Sequence, residues 1–287
     1  KNNSKDYLEY LWVQLDQNMR APDSKTPLAT SETLSSSFER PETFTKNNLK
    51  KPSDFGFKIE EVKNNDGSSL PYMINRTMMR INLPEPLAPG NSFQFKIKWN
   101  YLINNSVKDG GRSGFELFPD GNKNYTIAQF FPRLAVYDNV EGWQNMQFWG
   151  RSEWALEFGD YDVRITVPSD HILDATGELQ NENKVLTREQ RKRFEKARTS
   201  FEEPIFIVTQ DEAEKAEKGS SNQTKTWHFN AKNVRDFAFA SSRKYIWDAM
   251  AVNINGKTVM AISLYPKEGN PLWEEHSTRV VANTLEE

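Results

Sequence analysis

The chain has 287 residues, is 37 % hydrophobic and 27 % charged, and carries a net charge of −3 with both signs mixed along its length. No apolar run approaches the roughly 18 residues a membrane span needs, and no basic field exists to draw nucleic acid, so neither a spanning helix nor a nucleic-acid partner is expected. The absence of cysteine rules out disulfides, thiol catalysis and cysteine–zinc ribbons, and His171, His228 and His276 lie too far apart for a helical zinc signature.

The chain opens KNNSKDYLEYLWVQL, with no initiator methionine and no basic–apolar–small signal pattern, and closes on TLEE within a helical pattern. Both ends are expected to be cuts from a longer protein. Tyr7 to Leu15 alternates, Leu11, Val13 and Leu15 on one face and Tyr10, Trp12 and Gln14 on the other, which is a strand period. A polar passage rich in Ser, Thr, Pro and Lys follows from Arg20 to Asp54 and is expected to run over the surface. Phe55, Phe57 and Ile59 alternate with polar residues, and Asn64-Asn65-Asp66-Gly67 is hairpin chemistry, because these residues tolerate positive φ. Tyr72 to Leu83 is expected as the returning strand, broken by Pro84, Pro86 and Pro89. Phe93, Phe95, Ile97 and Trp99 mark a half-buried strand, and Gly110-Gly111-Arg112-Ser113-Gly114, which lacks the lysine of a phosphate loop, reads as a plain turn.

Aromatic residues concentrate between Tyr125 and Trp154: Phe130, Phe131, Tyr137, Trp143, Phe148 and Trp149 fall inside that stretch, which contains short apolar runs around Pro132 and an Asp-Asn…Glu-Gly turn. Such a stretch is either the packed centre of a β-domain or the wall of a cleft. Tyr161 to Val167 alternates again, and His171 to Leu179 is expected as one further short strand with His171 at its edge. Thr187-Arg-Glu-Gln190 and Thr209-Gln-Asp-Glu212 have capping-box spacing and start two helices, with the apolar run Ile205 to Val208 between them. Trp227, Phe229 and Ala231 resume alternation. Tyr245 to Val252 and Lys257 to Tyr265 form a last hairpin through Asn253-Ile254-Asn255-Gly256. Pro271 opens a final helix whose apolar positions are Leu272, Val280, Val281 and Leu285.

About ten alternating strands against a few helices predict a mainly β fold, an antiparallel saddle-like β-sandwich with a small helical insertion at about residues 187–219. The domain boundary is expected near 250, leaving 251–287 as the start of a second domain.

Three segments, AQFFPRLAVYDNVEGW (Ala128 to Trp143), FGDYDVRITVP (Phe158 to Pro168) and WHFNAKNVRDFAFASS (Trp227 to Ser242), together resemble the amino-terminal β-domain of the aminopeptidase N-type zinc metallopeptidases. This is the gluzincin family that includes leukotriene A-four hydrolase. The resemblance extends over nearly the whole chain from Tyr7 and is strongest to bacterial members that carry FPRLAVYD where others have a proline-phenylalanine-aspartate-glutamate-proline run. It implies a following thermolysin-like catalytic domain, of which 251–287 would be the opening strand and helix, and an exported, periplasmic or cell-envelope location. In that domain a G-x-M-E-N loop grips the amine of a peptide substrate, and an H-E-x-x-H helix with a later Glu holds one zinc. Neither motif occurs in this chain, so the expectation is zinc in the parent protein, no metal or catalytic residues in the fragment, and an inactive fragment. The resemblance also implies a substrate-binding role for Gln129, matching a family glutamine that accepts a hydrogen bond from the substrate's amino terminus, with Phe130, Phe131 and Arg133 adjoining it.

Two other readings stay open. An aromatic-rich β-sandwich could bind carbohydrate if Trp143, Trp149 and Trp154 were exposed for stacking on sugar rings. A docking scaffold whose parent has lost catalysis is the other.

Overall fold

The computed structural model describes residues 1–24, 54–149 and 155–287. The strand–strand pairings within its sheets are antiparallel, and the fold is mainly β with few helices, as the alternating apolar pattern predicts. The chain divides into two compact units, residues 1–104 with 129–158, and residues 105–128 with 159–287.

In the first unit, β1 (Leu8–Gln14) pairs with β4 (Met78–Leu87) on one side and β8 (Arg133–Leu134) on the other, while β3 (Tyr72–Asn75) flanks β4. A separate ribbon joins β2 (Lys58–Asn64) to β5 (Phe95–Asn100). Val13 and Leu15 on the β1 segment and Met79 and Ile81 on β4 bury against Val62 of β2, with Ile59, Phe95, Ile97 and Trp99 packed at the margin. Each strand thus contributes every second side chain to this core, while several residues of the other face, Leu8, Gln14 and Met78 among them, are buried as well, and each fully buried aliphatic side chain contributes about 1.5–3 kcal/mol. β9 (Tyr137–Asp138) and β10 (Gly142–Trp143) form a small hairpin whose turn is held by the Asp138 carboxylate, which accepts from the backbone N–H groups of Val140 and Glu141 at 2.9 Å each.

Three expectations for this unit are corrected. The Asn64–Gly67 turn forms, with Gly67 at φ +91, but Tyr72 onward does not return along β2; the partner of β2 is β5. Tyr72 to Leu83 is two strands, because the chain reverses at Arg76, φ +53, and sends β3 back along β4. Pro84 and Pro86 do not end β4. They sit where the pairing slips between Leu8↔Leu87 and Tyr10↔Asn82, a bulge in which a missing N–H costs no ladder bond.

The second unit holds three sheets. β11 (Gly159–Pro168) pairs along its length with β15 (Thr224–Val234), which also takes β13 (Glu178–Leu179). β12 (Ile172–Ala175), β16 (Phe239–Ser242), β7 (Lys123–Ile127) and β6 (Gly114–Leu117) form the second, in that order. β14 (Ile205–Val208), β17 (Tyr245–Ile254) and β18 (Lys257–Pro266) form the third. The 105–109 segment is a single helical turn, α1 (Ser106–Asp109), and the glycine-rich passage after it is a turn as expected. His171 to Leu179 is not one strand: Gly177, at φ +95, turns the chain from the sheet of β12 into that of β13.

The helices of this unit follow their caps. After the short α2 (Glu182–Val185), Thr187 caps α3 (Arg188–Ala197) and Thr209 caps α4 (Gln210–Glu217), each with the reciprocal N3 side chain in place. Phe194 of α3 packs at 5.1 Å on Trp247 of β17. The last helix, α5 (Leu272–Glu286), lies on the β17–β18 hairpin through Ala282, and Thr278 and Tyr265 both donate to the buried carboxylate of Asp248. The helix expected after Pro271 forms, but its apolar residues Leu272, Val280, Val281 and Leu285 are exposed and its buried positions are the small Thr278 and Ala282. Small residues let the helix approach the hairpin closely enough for the Asp248 network to close.

Gly177 gives a stringent test of this geometry. A Cβ there would lie 2.4 Å from the Asn230 carbonyl oxygen, in a backbone conformation that side chains disfavour. We expect Gly177→Ala to lower stability by about 2–4 kcal/mol in urea melts, whereas Gly67→Ala, with open space around it, costs only the smaller penalty of its positive φ.

Candidate functional site

The candidate site lies in the first unit, and it is built on the turn that follows β1. Residues Asp16–Arg20 form a 3-10 turn, closed by Asn18 N–H to the Leu15 carbonyl at 3.0 Å. The Asn18 side chain fixes it further, donating to the Arg76 carbonyl at 2.8 Å and accepting from the Phe57 N–H at 2.8 Å. Both Asp16 and Gln17 are buried in this turn. Buried polar groups require partners, and both reach to the segment around Pro132.

Gln17 donates from Nε2 to the Gln129 carbonyl at 3.0 Å, while its Oε1 accepts from Arg20 Nη1 at 3.2 Å. Asp16 receives the guanidinium of Arg133, Nη2 to Oδ2 at 2.5 Å, with the two side chains 2 % and 3 % exposed. Arg133 is therefore an internal anchor whose charge is committed to Asp16. β8 adds the backbone component, pairing Gln14 with Arg133 and Val13 with Leu134.

Held in this way, Gln129 adopts φ +54, a left-handed conformation that costs a residue with a side chain about 1–2 kcal/mol. Its side-chain amide is half-buried and makes no hydrogen bond among the described residues. The next carbonyl, of Phe130, accepts from Trp99 Nε1 at 3.1 Å, and the rings of Phe130 and Phe131 meet edge to face at 5.1 Å. Tyr101 packs edge-on against Phe57, and burial pushes its phenol up to about 12, with the nearby Arg20 charge acting in the opposite direction. An uncommitted amide beside two phenyl rings can recognise a ligand by hydrogen bonding and contact. None of these groups exchanges a proton near neutral pH.

The tryptophans considered for sugar stacking are placed differently. Trp143 is half-buried and meets Tyr137 edge to face at 5.2 Å, Trp149 is half-buried with the Arg76 guanidinium 5.5 Å from its ring, and Trp154 lies outside the described residues.

Among the described residues, the histidines and acidic clusters do not form a zinc-type donor set. His171 is buried with Nδ1 3.0 Å from Ser241 Oγ, His228 faces Asp162 at 2.9 Å, and His276 is exposed beside Glu275. Burial pulls the His171 imidazole down to about 4, aided by the charge of Arg243. Among the described residues the one convergent set of metal-type ligands is Asp120, Glu217 and Glu268. Its centre is taken by the ammonium of Lys244, at 2.7, 2.9 and 2.8 Å from the three carboxylates. That buried lysine supplies the charge a cation would otherwise bring, and an all-oxygen set is not the nitrogen- or sulfur-rich donor set of a zinc site.

The family resemblance implied a role for Gln129 but said nothing of the residues that hold it. Asp16 and Gln17 were legible only as polar residues directly after a buried strand, a position more often occupied by a solvated turn.

No family model matches the chain, and no curated protein matches it. Among solved structures, the M1 zinc metallopeptidase from Deinococcus radiodurans aligns with 13 % identity and a TM-score of 0.45, over 92 % of this chain and 41 % of the other. A point variant of that enzyme bound to a Tyr-Ser-Ala substrate aligns with 12 % identity and a TM-score of 0.47, over 97 % and 45 %. A two-domain variant bound to L-tryptophan gives 12 % and 0.43, over 92 % and 41 %. The chain spans less than half the length of each, and likeness at this level does not assign it to a family.

The Asp16–Arg133 pair yields a direct prediction. Arg133→Met takes the buried guanidinium away from the Asp16 carboxylate, and we expect a loss of about 3–5 kcal/mol in denaturant unfolding, the cost of breaking a buried pair from one side. Replacing both, as Asp16→Leu with Arg133→Met, restores much of that stability. Equal losses in the single and double variants would show that the pair is not the source.

Proposed function

We propose that this chain is the non-catalytic amino-terminal β-domain of a zinc aminopeptidase, a hydrolase that removes residues from the amino end of peptides. In this reading the β-domain caps the active-site cleft, and Gln129 accepts a hydrogen bond from the substrate's free amine. The three sequence segments that resemble the aminopeptidase N-type family supply the prior. The observation that carries the proposal is the state of Gln129: a strained backbone fixed by Gln17, with its side-chain amide left uncommitted. Strain maintained by surrounding structure is a common mark of a functional position. An amide oxygen suits an ammonium donor because it accepts without titrating.

Phe130 and Phe131 would provide the apolar wall beside the amine. Arg133 would act as a positioning residue through Asp16, since its own guanidinium is buried. The zinc and its ligands belong to the rest of the parent protein, as this chain contains neither H-E-x-x-H nor G-x-M-E-N. Zinc would there polarise the scissile carbonyl and activate water. The role of the present residues is recognition and orientation of the peptide's amino end.

Two measurements test this. The 287-residue chain alone is expected not to hydrolyse leucine anilide; hydrolysis with one equivalent of bound zinc would overturn the assignment. In the parent protein, Gln129→Ala is expected to lower kcat/KM for free-amine peptides by about 10–100-fold, the range for loss of a hydrogen bond to a charged group. It should weaken a zinc-binding inhibitor that carries an α-amine while sparing the same inhibitor without one. Equal effects on both inhibitors, or none on either, would remove Gln129 from amine recognition.

A further inference from the structure

The second unit contains an open cleft of about 410 Å3 that the proposal above does not use. Its walls come from separate parts of the unit: Ile172 of β12, Val185 and Leu186 at the end of α2, Val208 of β14 and Ala213 of α4. Two lysines face it, Lys184 on α2 and Lys225 on β15. The placement of Lys225 follows from strand periodicity. It shares the inward register with Trp227, Phe229 and Ala231, whose side chains are all buried.

The charges around the cleft do not balance. Asp170 is occupied by Arg243 and by the Ser221 N–H at 2.9 Å. Glu212 is occupied by Arg193 at 2.7 Å and by the Thr209 cap. Neither Lys184 nor Lys225 has an ion-pair partner among the described residues. The Lys225 ammonium donates to the Val185 carbonyl at 3.3 Å and lies 4.9 Å from the centre of the Trp227 ring. It is partly removed from water, and the nearby charge of Asp170, which Arg243 already occupies, offsets that only in part. Burial accordingly lowers its affinity for the proton, to a pKa of about 8.

We infer that this cleft binds a small monocarboxylate with an apolar body, its carboxylate on Lys225 and Lys184 and its hydrocarbon portion against Ile172, Val185, Leu186, Val208 and Ala213. An anion beside Lys225 would complete the charge compensation that the fold supplies only in part. The apolar walls require a ligand that also removes hydrocarbon surface from water, and a volume of this order accepts a molecule of that size. Asp170 and Glu212 disfavour a polyanion, because each extra negative charge would meet one of them.

The probes are 4-phenylbutyrate and its neutral counterpart 4-phenyl-1-butanol, titrated into the 287-residue chain and followed by calorimetry and by ligand-observed NMR. We expect saturable binding of the carboxylate at one site and binding of the alcohol weaker by about tenfold or more, the factor set by one charge-assisted contact. Lys225→Met should lose about the same factor, Lys184→Met a smaller one, and Lys225→Arg should keep affinity, since it keeps the charge. Affinity should also fall as pH rises from 7 to 10 and Lys225 gives up its proton, with Lys225→Arg removing that dependence. The groups that face Lys225 are Asp170 and His171 near the start of β12, Lys184 on α2, Glu212 on α4 and Arg243 before β17. Equal affinity for acid and alcohol, no saturable binding of either, or unchanged affinity in a folded Lys225→Met variant would each overturn the inference. Should Lys225→Met fail to fold, the acid–alcohol comparison on the unaltered chain and the Lys184→Met and Lys225→Arg variants decide it.

Discussion

The contact between Asp16 and Arg133 governs how the first unit presents its candidate site. Two opposite charges are buried at the junction of a 3-10 turn and a two-residue strand, elements too short to be stable by themselves. Removing both charges from water is costly, and their attraction offsets that cost only in one geometry. The pair therefore fixes position more than it adds stability. Gln17, the next residue in the same turn, then reaches the Gln129 carbonyl and holds that residue at a φ it would not otherwise adopt. The chain of cause runs from one buried ion pair to one strained backbone angle to one uncommitted amide.

The second unit manages buried charge in two contrasting ways. Lys244 is enclosed by three carboxylates, and against the cost of its burial those partners raise its pKa and keep it charged. Lys225 is partly buried beside an aromatic ring with only a carbonyl to receive its protons, and its pKa moves the other way. The same residue type thus serves as a structural keystone in one place and leaves an unmet electrostatic demand in the other. Asp248 is a third case: it is fully buried, and two hydroxyl donors rather than a cation meet its needs, tying α5 to the β17–β18 hairpin.

Local chemistry explains which parts of the fold were readable. The capping boxes at Thr187 and Thr209 and the Asn255-Gly256 hairpin each need only neighbouring residues, and each forms as its sequence implies. The strand of β15 was legible because Trp227, Phe229 and Ala231 repeat at a period of two. Two of the errors share one origin. Tyr72–Leu83 and His171–Leu179 each contain a reversal at a residue with positive φ, Arg76 and Gly177, that sends the next segment to a different partner. Alternation continues through such a reversal, so periodicity alone does not reveal it.

The sequence by itself determined the mainly β character, the caps, the turn chemistry and the position of Gln129 in an aromatic segment, because these depend on residue type and short-range spacing. Only tertiary structure decided that β2 pairs with β5, that Arg133 is an internal anchor, that Gln129 is strained with an amide that makes no hydrogen bond among the described residues, and that Lys225 and Lys184 line one cleft. Each of those facts joins residues distant in sequence, and their energies depend on burial and distance, which no local pattern encodes. The exposed valines and leucines of α5 show the same limit from the other side: an apolar residue states a preference for burial, and the packing of Thr278 and Ala282 determined which face of that helix was buried.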